Sequence, residues 1–314
     1  MNRDVKKYIL QKSAELLFTL LFVTLLSFLL MRFSSVDPAT AYAKRMVGNP
    51  TMEQIERIRV RLGFDKPLII QYLYWVWNLL HFNLGASLAN GHDVWADIAT
   101  AFPKTLSIVL LASFFQIIFI IGLSCAAFLC PHKAAKKVVR LFCILGVSIP
   151  SFYVATVYLD YFAVQKSLIS VAGNITLISY ISPALCIGIF GASFYTPLLM
   201  DALNNESAED YAFYARCRGL SEIRLLFFHF LPRAVIGLIP NFLQSIGLAL
   251  ANATIIESIF SIPGFGYLIV NHVLDHDTPM IHAEVFFLAL AIALCNIAAD
   301  FAQWTIGSKK AVTY

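Results

Sequence analysis

Two histidines and two acidic residues lie together in one short polar stretch, and side chains of these types could bind a metal ion. His272 and His276 are four residues apart, with Asp275 and Asp277 beside them. If the stretch is helical, both imidazoles share one face, which suits a zinc site. An exposed polar loop end is the commoner explanation of such a stretch. Metal binding by His272 and His276 is therefore the minor interpretation, and no metal ligand is assigned.

Sequence motifs of enzymes are missing from the chain. There is no phosphate-binding G-x-x-x-x-G-K-[ST] loop, no G-x-S-x-G nucleophile turn and no H-E-x-x-H metal helix. We therefore expect no catalytic residue, no cofactor bound by this chain and no enzymatic activity.

The composition is that of a membrane protein. Of 314 residues, 59% are apolar and 13% are charged, whereas a soluble domain has about 25% charged residues. A net charge of +4 is too small to indicate a nucleic-acid partner. A helix needs about 20 mostly apolar residues to cross a bilayer. Six segments meet this length and predict an all-α integral membrane protein: 14–33, 105–130, 141–164, 177–199, 234–258 and 282–306.

The basic residues predict how these six spans are oriented. Four precede the first span, four lie in 131–140, four in 201–233 and two at the tail, all on one side. Short cytoplasmic loops carry such an excess of lysine and arginine. Both termini are therefore predicted to be cytoplasmic, and the long loop 34–104 extracytoplasmic. The first span could instead be a signal peptide, but its apolar part is slightly too long, so we expect a retained anchor.

Local signals divide the long loop 34–104. Thr51 and Gln54 have the spacing of a capping box, and Gly63 can end the helix that follows. The next segment has four aromatic residues that suit either a membrane–water interface or packing between helices: Tyr72, Tyr74, Trp75 and Trp77. The six cysteines lie mostly in apolar runs without paired spacing, which predicts free thiols. No repeat or linker marks a second domain, so 1–314 is predicted to be one transmembrane domain.

The loop 201–233 contains the unusually basic segment "YARCRGLSEIRLLFFHFLPR" between apolar runs. Ser207 with Asp210 predicts a helix start, and Gly219 is placed to end that helix in a left-handed conformation. Ser221 is then expected to cap a second helix, which should stop near Leu231 because Pro232 follows.

This second helix is too short to be stable alone in water. Leu220 and Leu225 have the spacing of a hydrophobic staple. The apolar run from Leu225 to Phe230 covers most of the helix circumference. We therefore expect the helix to be held both by its own membrane helices and by another protein.

The segment resembles the cytoplasmic coupling loop of binding-protein-dependent ABC importer permeases. That pattern is E-A-A, three residues, Gly, nine residues, I-x-L-P, and Ala215, Gly219, Leu231 and Pro232 fit it. Phe213 and Tyr214 stand where Glu and Ala are usual, and His229 replaces Ile. Further pieces are similar to the dipeptide, oligopeptide and nickel group of these permeases, in the same order along the chain: "VDPA", "RLGFDKPLIIQY", "NLGASL", "SIPSF", "ESIFSIPGFGYL", "HDTPMI" and "NIAAD".

The resemblance implies the permease subunit of an ATP-driven importer of the bacterial cytoplasmic membrane, with the type I importer fold. Its expected partners are a second homologous permease, two cytoplasmic ATPase subunits that bind ATP and Mg, an extracytoplasmic substrate-binding protein and the lipid bilayer. Its substrates would be di- or oligopeptides, or nickel and other metal chelates. The coupling residues implied are Ala215, Gly219, Leu220, Ser221, Leu225, Phe228, Leu231 and Pro232. Those implied for the gate or translocation path are Glu257, Pro263, Gly264, Gly266, Asn296 and Asp300.

Two other classes of function remain open from the residues alone. An ion-coupled secondary transporter could use Glu257, Glu284 or Asp300, since acids within the membrane often carry protons or cations. A membrane scaffold or receptor would use the loop 201–233 to bind a partner without moving solute.

Overall fold

The computed structural model describes residues 3–34, 36–167 and 177–312, and the all-α prediction is confirmed. Within these residues, a single bridge between Ala86 and Asp93 is the only β-type pairing. The helices are α1 Arg3–Arg32, α2 Pro38–Val47, α3 Met52–Leu62, α4 Leu68–Leu80, α5 Val94–Leu129, α6 Lys133–Ser148, α7 Ser151–Leu159, α8 Ile181–Ala208, α9 Asp210–Cys217, α10 Glu222–Leu225, α11 Leu231–Ile259, α12 Phe265–Leu274 and α13 Thr278–Val312.

The described residues contain five helices that are long and apolar enough to cross a membrane. They are Lys6–Arg32, Val94–Leu129, Ile181–Ala208, Glu222–Ile259 and Thr278–Ile306. The count rises to six if Lys133–Ser148 and Ser151–Gln165, which meet at 92°, are taken together as one bent span. The span predicted over 141–164 is therefore broken into two helices near Pro150. Pro150 disfavours helical geometry in the residue before it, and Ile149 is accordingly extended, with φ −94° and ψ 126°.

One compact unit consists of residues 1–105 and 263–293. The Thr51 capping box is confirmed by both of its hydrogen bonds, 3.3 Å from Gln54 N to Thr51 Oγ1 and 2.8 Å from Thr51 N to Gln54 Oε1. Gly63 ends α3 with φ 75° as predicted. Two aromatic residues of α4 fit different predictions. Tyr72 is buried and hydrogen-bonds Thr24, as expected for packing between helices, whereas Tyr74 is exposed, as expected at a membrane–water interface. The core of this unit contains Leu84, Val94, Ile98, Ala101, Phe265, Met280 and Ala283.

The second compact unit consists of residues 106–262 and 294–314, and the buried faces of α8 lie within it. A Cβ atom added at Gly188 would lie 2.8 Å from the carbonyl oxygen of Ala112 in α5. The absence of a side chain at Gly188 therefore permits α5 and α8 to pack closely. Gln116 of α5 also donates a buried 3.2 Å hydrogen bond to Ser245 of α11. All six cysteines are free, as predicted.

We predict that Gly188→Ala destabilises the protein by about 1–3 kcal/mol, because overpacking against backbone atoms forces helices apart. Gly122 is the matched control, since it is also helical but a Cβ there would meet nothing within 4 Å. Gly122→Ala should be neutral or stabilising by about 0.5–1 kcal/mol. Thermal unfolding of the purified protein measures both. Equal effects of the two substitutions would contradict the close approach of α5 and α8.

Candidate functional site

The loop between α8 and α11 begins differently from the prediction. Ser207 does not start a helix, because α8 continues through it and its hydroxyl donates to the Asn204 carbonyl at 2.9 Å. Glu209 is the extended residue before α9 instead. Gly219 has φ 80°, so its predicted left-handed conformation is confirmed. The turn is closed by a 3.2 Å hydrogen bond from Leu220 N to the Ala215 carbonyl.

The helix after this turn is longer than predicted. Ser221 has the extended backbone of a cap but makes no capping side-chain hydrogen bond. The predicted stop near Leu231 is wrong, because α10, a π-helical segment Leu226–Phe230 and α11 follow one another without a break. The wider π turn removes the usual i→i−4 pairing before Pro232, so the missing N–H of the proline is tolerated.

The loop has one buried face and one exposed apolar face. Four residues are fully buried in the core of this unit: Ala212, Leu225, Leu226 and Phe230. Ala215, Leu220 and Leu231 pack partly buried against the same core. Five other apolar side chains are exposed, and Phe228 is 75% exposed. We call these five the loop patch: Phe213, Tyr214, Ile223, Phe227 and Phe228.

One ion pair and several hydrogen bonds hold the residues of the loop together. Arg216 of α9 donates to both carboxylate oxygens of Glu222, at 2.6 and 3.3 Å, and to the Ser207 carbonyl at 3.0 Å. The hydrogen bond to Glu222 raises the pKa of Arg216. Tyr211 donates to Glu206 at 2.6 Å, and burial, with this carboxylate, raises the pKa of Tyr211 to about 12. Both residues therefore keep their ordinary protonation at neutral pH, and the loop has a defined shape.

The structure brings Asn296 and Asp300, two of the residues implied for the translocation path, together with further polar residues. They line a cavity of about 220 Å³ with Asn241, Gln244 and Gln303, and also Gly237, Pro240 and Ala299. Two helices of one unit, α11 and α13, supply all these residues. We call this cavity the polar groove. Glu257 is fully buried in α11 and does not line it.

The predicted gate residues Pro263, Gly264 and Gly266 lie at the start of α12. The Pro263 carbonyl accepts a 3.1 Å hydrogen bond from Lys104, and the N–H of Phe265 donates to Thr105 at 2.7 Å. Gly264 is the extended residue that precedes α12. This segment is therefore anchored to the N-terminal part of α5.

His272 and His276 are not placed to share a metal. Helix α12 ends at Leu274, and His276 lies beyond it with φ 52°. The buried His272 instead pairs through Nδ1 with Glu284 Oε1 at 2.7 Å. Within the described residues, no group of three or more possible ligands is found. Burial alone would lower the pKa of His272, but the hydrogen bond and charge of Glu284, with Asp277 and Asp275, raise that pKa overall.

The raised pKa of His272 predicts that the stability of the fold depends on pH. Protonated His272 stabilises the fold fully below its unfolded pKa of about 6.5, and this contribution is lost as pH rises through the higher folded pKa. We expect the melting temperature to fall as pH rises from 6 to 8, and His272→Gln to flatten this slope. His229→Gln, at an exposed histidine, should keep the slope. An unchanged slope in His272→Gln would contradict the assignment.

Asp277 joins two segments that are far apart in sequence, and sequence reasoning missed its role. Its carboxylate accepts hydrogen bonds from the Ser87 hydroxyl at 2.5 Å and from the N–H groups of Leu88 and Ala89, both at 3.1 Å. The only signal was that both segments occur among the family-like pieces "NLGASL" and "HDTPMI". The fully buried carboxylate fixes the loop before α5 to the start of α13.

We predict that Asp277→Ala destabilises this unit by about 3–5 kcal/mol, because buried donors then lose a charged acceptor. Amide hydrogen exchange should accelerate most in residues 83–93. Asp275→Ala is the control, since the Asp275 carboxylate is 51% exposed. Slow exchange of residues 83–93 in Asp277→Ala would show that this carboxylate does not hold the loop.

Comparison with known proteins defines the class of this one. Residues 118–310 match the family described as binding-protein-dependent transport system inner membrane component, and residues 5–109 match the N-terminal model of such membrane components. The first match alone covers more than half of the chain. The protein therefore belongs to the inner membrane components of binding-protein-dependent transport systems, and it is a multi-pass protein of the bacterial inner membrane.

Individual relatives are similar over almost the full chain. A Brucella abortus protein that is named as a peptide transport system permease is 31% identical to this protein. The match covers 93% of this chain and 95% of the Brucella chain. The metal-staphylopine import system permease protein CntB of Staphylococcus aureus is 30% identical over 94% of each chain. The glutathione transport system permease protein GsiC of Salmonella choleraesuis is 28% identical over 93% of this chain and 95% of its own.

Proposed function

We propose that the chain is a pore-forming subunit of an ATP-driven importer whose loop 206–233 docks on a separate ATPase subunit. The observation that carries this proposal is the loop patch. Its five apolar side chains are exposed on a loop whose opposite face is fixed in the core. Exposed apolar patches of this kind mark sites of interaction, and an apolar helix face in a groove is a common recognition mode.

Transmission of force requires that the loop be rigid. The buried face of α10 and the π segment, together with the Arg216–Glu222 ion pair, joins the patch to α11 without a flexible linker. A displacement of the docked loop by closure of an ATPase pair would therefore move α11 with it. This rigid connection supports alternating access as the transport mechanism. In this proposal the partner subunit binds ATP and Mg, and both termini of the chain lie on the ATPase side.

The polar groove supports a path for solute. Gln244, Asn296 and Gln303 are exposed in the isolated chain, although they lie in helices of membrane-spanning length. Polar groups at this depth avoid lipid because they would lose their hydrogen bonds with water. The groove is therefore proposed to face a water-filled path between this chain and a second permease subunit. Separately, the segment 263–266 is proposed to be a gate toward the binding protein.

The proposed substrates are peptides or metal chelates. The relatives are named for transport of peptides, of glutathione and of metal-staphylopine. Peptides carry carboxylates and amides, and carboxamide side chains in the groove can hydrogen-bond both groups.

Reconstitution into proteoliposomes tests this function. The protein would be combined with its companion permease, ATPase and binding protein, and uptake of a radiolabelled peptide would be measured. We expect uptake that requires ATP and the ATPase and is indifferent to ionophores. Uptake driven by a proton or sodium gradient without ATP would instead indicate an ion-coupled transporter. No uptake of any tested solute, with the partners bound, would indicate a scaffold.

A further inference from the structure

Two adjoining cavities lie where α1, α3, α4 and α13 come together in the unit formed by residues 1–105 and 263–293. Their volumes are about 420 and 470 Å³. They share six lining residues: Phe28, Phe64, Lys66, Gln71, Thr278 and His282. Four of the family-like pieces contribute to these walls, namely "VDPA", "RLGFDKPLIIQY", "NLGASL" and "HDTPMI", yet the proposed transport function uses none of them there.

One part of the wall is apolar and aromatic. Ile70, Tyr74 and Trp75 of α4 line the first cavity beside Phe28 of α1. Phe28 stacks on His282 with ring centroids 3.6 Å apart and meets Trp75 edge-on at 5.7 Å. These rings form a rigid surface on which an acyl chain can pack. Adjacent side chains of α4 are exposed and continue this surface outward: Ile69, Leu73 and Trp77.

The other part of the wall is cationic. Arg32, Arg61 and Lys66 line the cavities, and within the described residues none of the three forms an ion pair. Asp37 is matched by Arg59 at 3.0 Å. Burial alone would raise the pKa of Asp37, but hydrogen bonds from Arg59 and Thr40 outweigh it and lower that pKa. When Arg59 is counted with the lining residues, Asp37 and Asp65 leave an excess of two positive charges, four minus two.

Three buried polar atoms beside the cavities lack hydrogen-bond partners within the described part of the chain. They are His282 Nε2, Thr278 Oγ1 and Trp75 Nε1. His282 is only 2% exposed, and its other ring nitrogen, Nδ1, lies 2.8 Å from the Ser27 hydroxyl. A buried polar group without a partner costs about 1–3 kcal/mol. A polar ligand beside these side chains would recover part of that free energy.

We propose that these cavities bind one anionic phospholipid. The phosphate lies against Arg61, Lys66 and Arg32, and an acyl chain follows Phe28, Ile70 and Tyr74. Arg32 is the last residue of α1, a helix of membrane-spanning length, so the cationic wall lies at the level of the lipid headgroups. Clustered Lys and Arg side chains next to a membrane helix attract anionic headgroups through their charge. Free phosphate would meet the cations but would leave the apolar wall uncovered.

The test compares two lipids and two variants on the purified, delipidated full-length protein. Mixed micelles contain phosphatidylglycerol or phosphatidylcholine with the same acyl chains, and a third arm contains inorganic phosphate. Native mass spectrometry counts bound lipid, and thermal unfolding measures stabilisation. The double variant Arg61→Gln/Lys66→Gln removes two lining cations. Lys44→Gln is the matched control, because Lys44 is an exposed cation of α2 outside both cavities.

We expect one phosphatidylglycerol per chain and at least a tenfold preference over phosphatidylcholine. The double variant should reduce this preference to within about twofold while its melting temperature without lipid stays near that of the wild type. Lys44→Gln should keep the full preference. Equal binding of the two lipids, equal stabilisation by inorganic phosphate alone, or full preference in the double variant would each overturn the proposal. If the double variant does not fold, Thr278→Val is tested in its place. Unchanged retention of phosphatidylglycerol by Thr278→Val would then overturn the proposal.

Discussion

Replacing Phe228 by aspartate should abolish ATP-driven uptake while the protein still folds and inserts. The side chain is 75% exposed and lies in the loop patch, opposite the buried Leu225, Leu226 and Phe230. A charge at the centre of an apolar docking surface is expected to cost about 2–4 kcal/mol of binding free energy. Affinity for the ATPase would then fall by about 30- to 1000-fold. Co-purification of the ATPase and uptake in proteoliposomes measure both effects.

Phe82→Asp is the matched control for this experiment. Phe82 is 83% exposed, but it lies in the turn after α4, in the other compact unit. The same change of chemistry there should leave ATPase binding unaltered. If Phe228→Asp retains normal ATPase binding and uptake, the loop patch is not the docking surface.

Gly219→Val should uncouple ATP hydrolysis from uptake. Gly219 has φ 80°, and a Cβ atom there would meet nothing within 4 Å, so any effect comes from the backbone alone. An L-residue in this conformation costs about 1–2 kcal/mol, and a β-branched residue is especially unfavourable. We expect the turn between α9 and α10 to change its angle and the patch residues of the two helices to lose their alignment. Uptake per ATP hydrolysed should fall by more than about tenfold.

The variant Gly219→Asn tests whether position 219 requires glycine for its left-handed conformation or for its lack of a side chain. Asparagine adopts the left-handed conformation more readily than other L-residues, so this variant should keep uptake within about twofold of the wild type. Equal losses in Gly219→Val and Gly219→Asn would mean that contact with a partner, and not the shape of the turn, requires glycine.

The features that sequence predicted well depend on local interactions. The Thr51 capping box, the end of α3 at Gly63 and the left-handed Gly219 each involve residues within four positions of one another. The predicted stop near Leu231 failed although Pro232 is a strong local signal. A π turn absorbs the proline, and that turn is held by the burial of Leu226 and Phe230 in a core assembled from distant helices.

Distant contacts also explain what was missed at the candidate site. The apolar run 225–230 indicated that both the protein itself and a partner must cover the second helix of the loop. Sequence could not tell which side chains face outward, because every turn of the helix carries an apolar residue. In the sequence, the exposed Phe213 and Tyr214 stand out only as departures from the family pattern. The contact between Asp277 and Ser87 joins residues 190 positions apart, and no local pattern predicts it.

Site-specific photo-cross-linking within the assembled complex tests docking of the loop patch most directly. A benzophenone amino acid would replace Phe228, with the same replacement at Phe82 as the reference, and the products would be identified by mass spectrometry. We expect cross-links from position 228 to the ATPase subunit and no cross-links to that subunit from position 82. Cross-links from position 228 to lipid or to this chain alone, in a complex that hydrolyses ATP and transports, would contradict it.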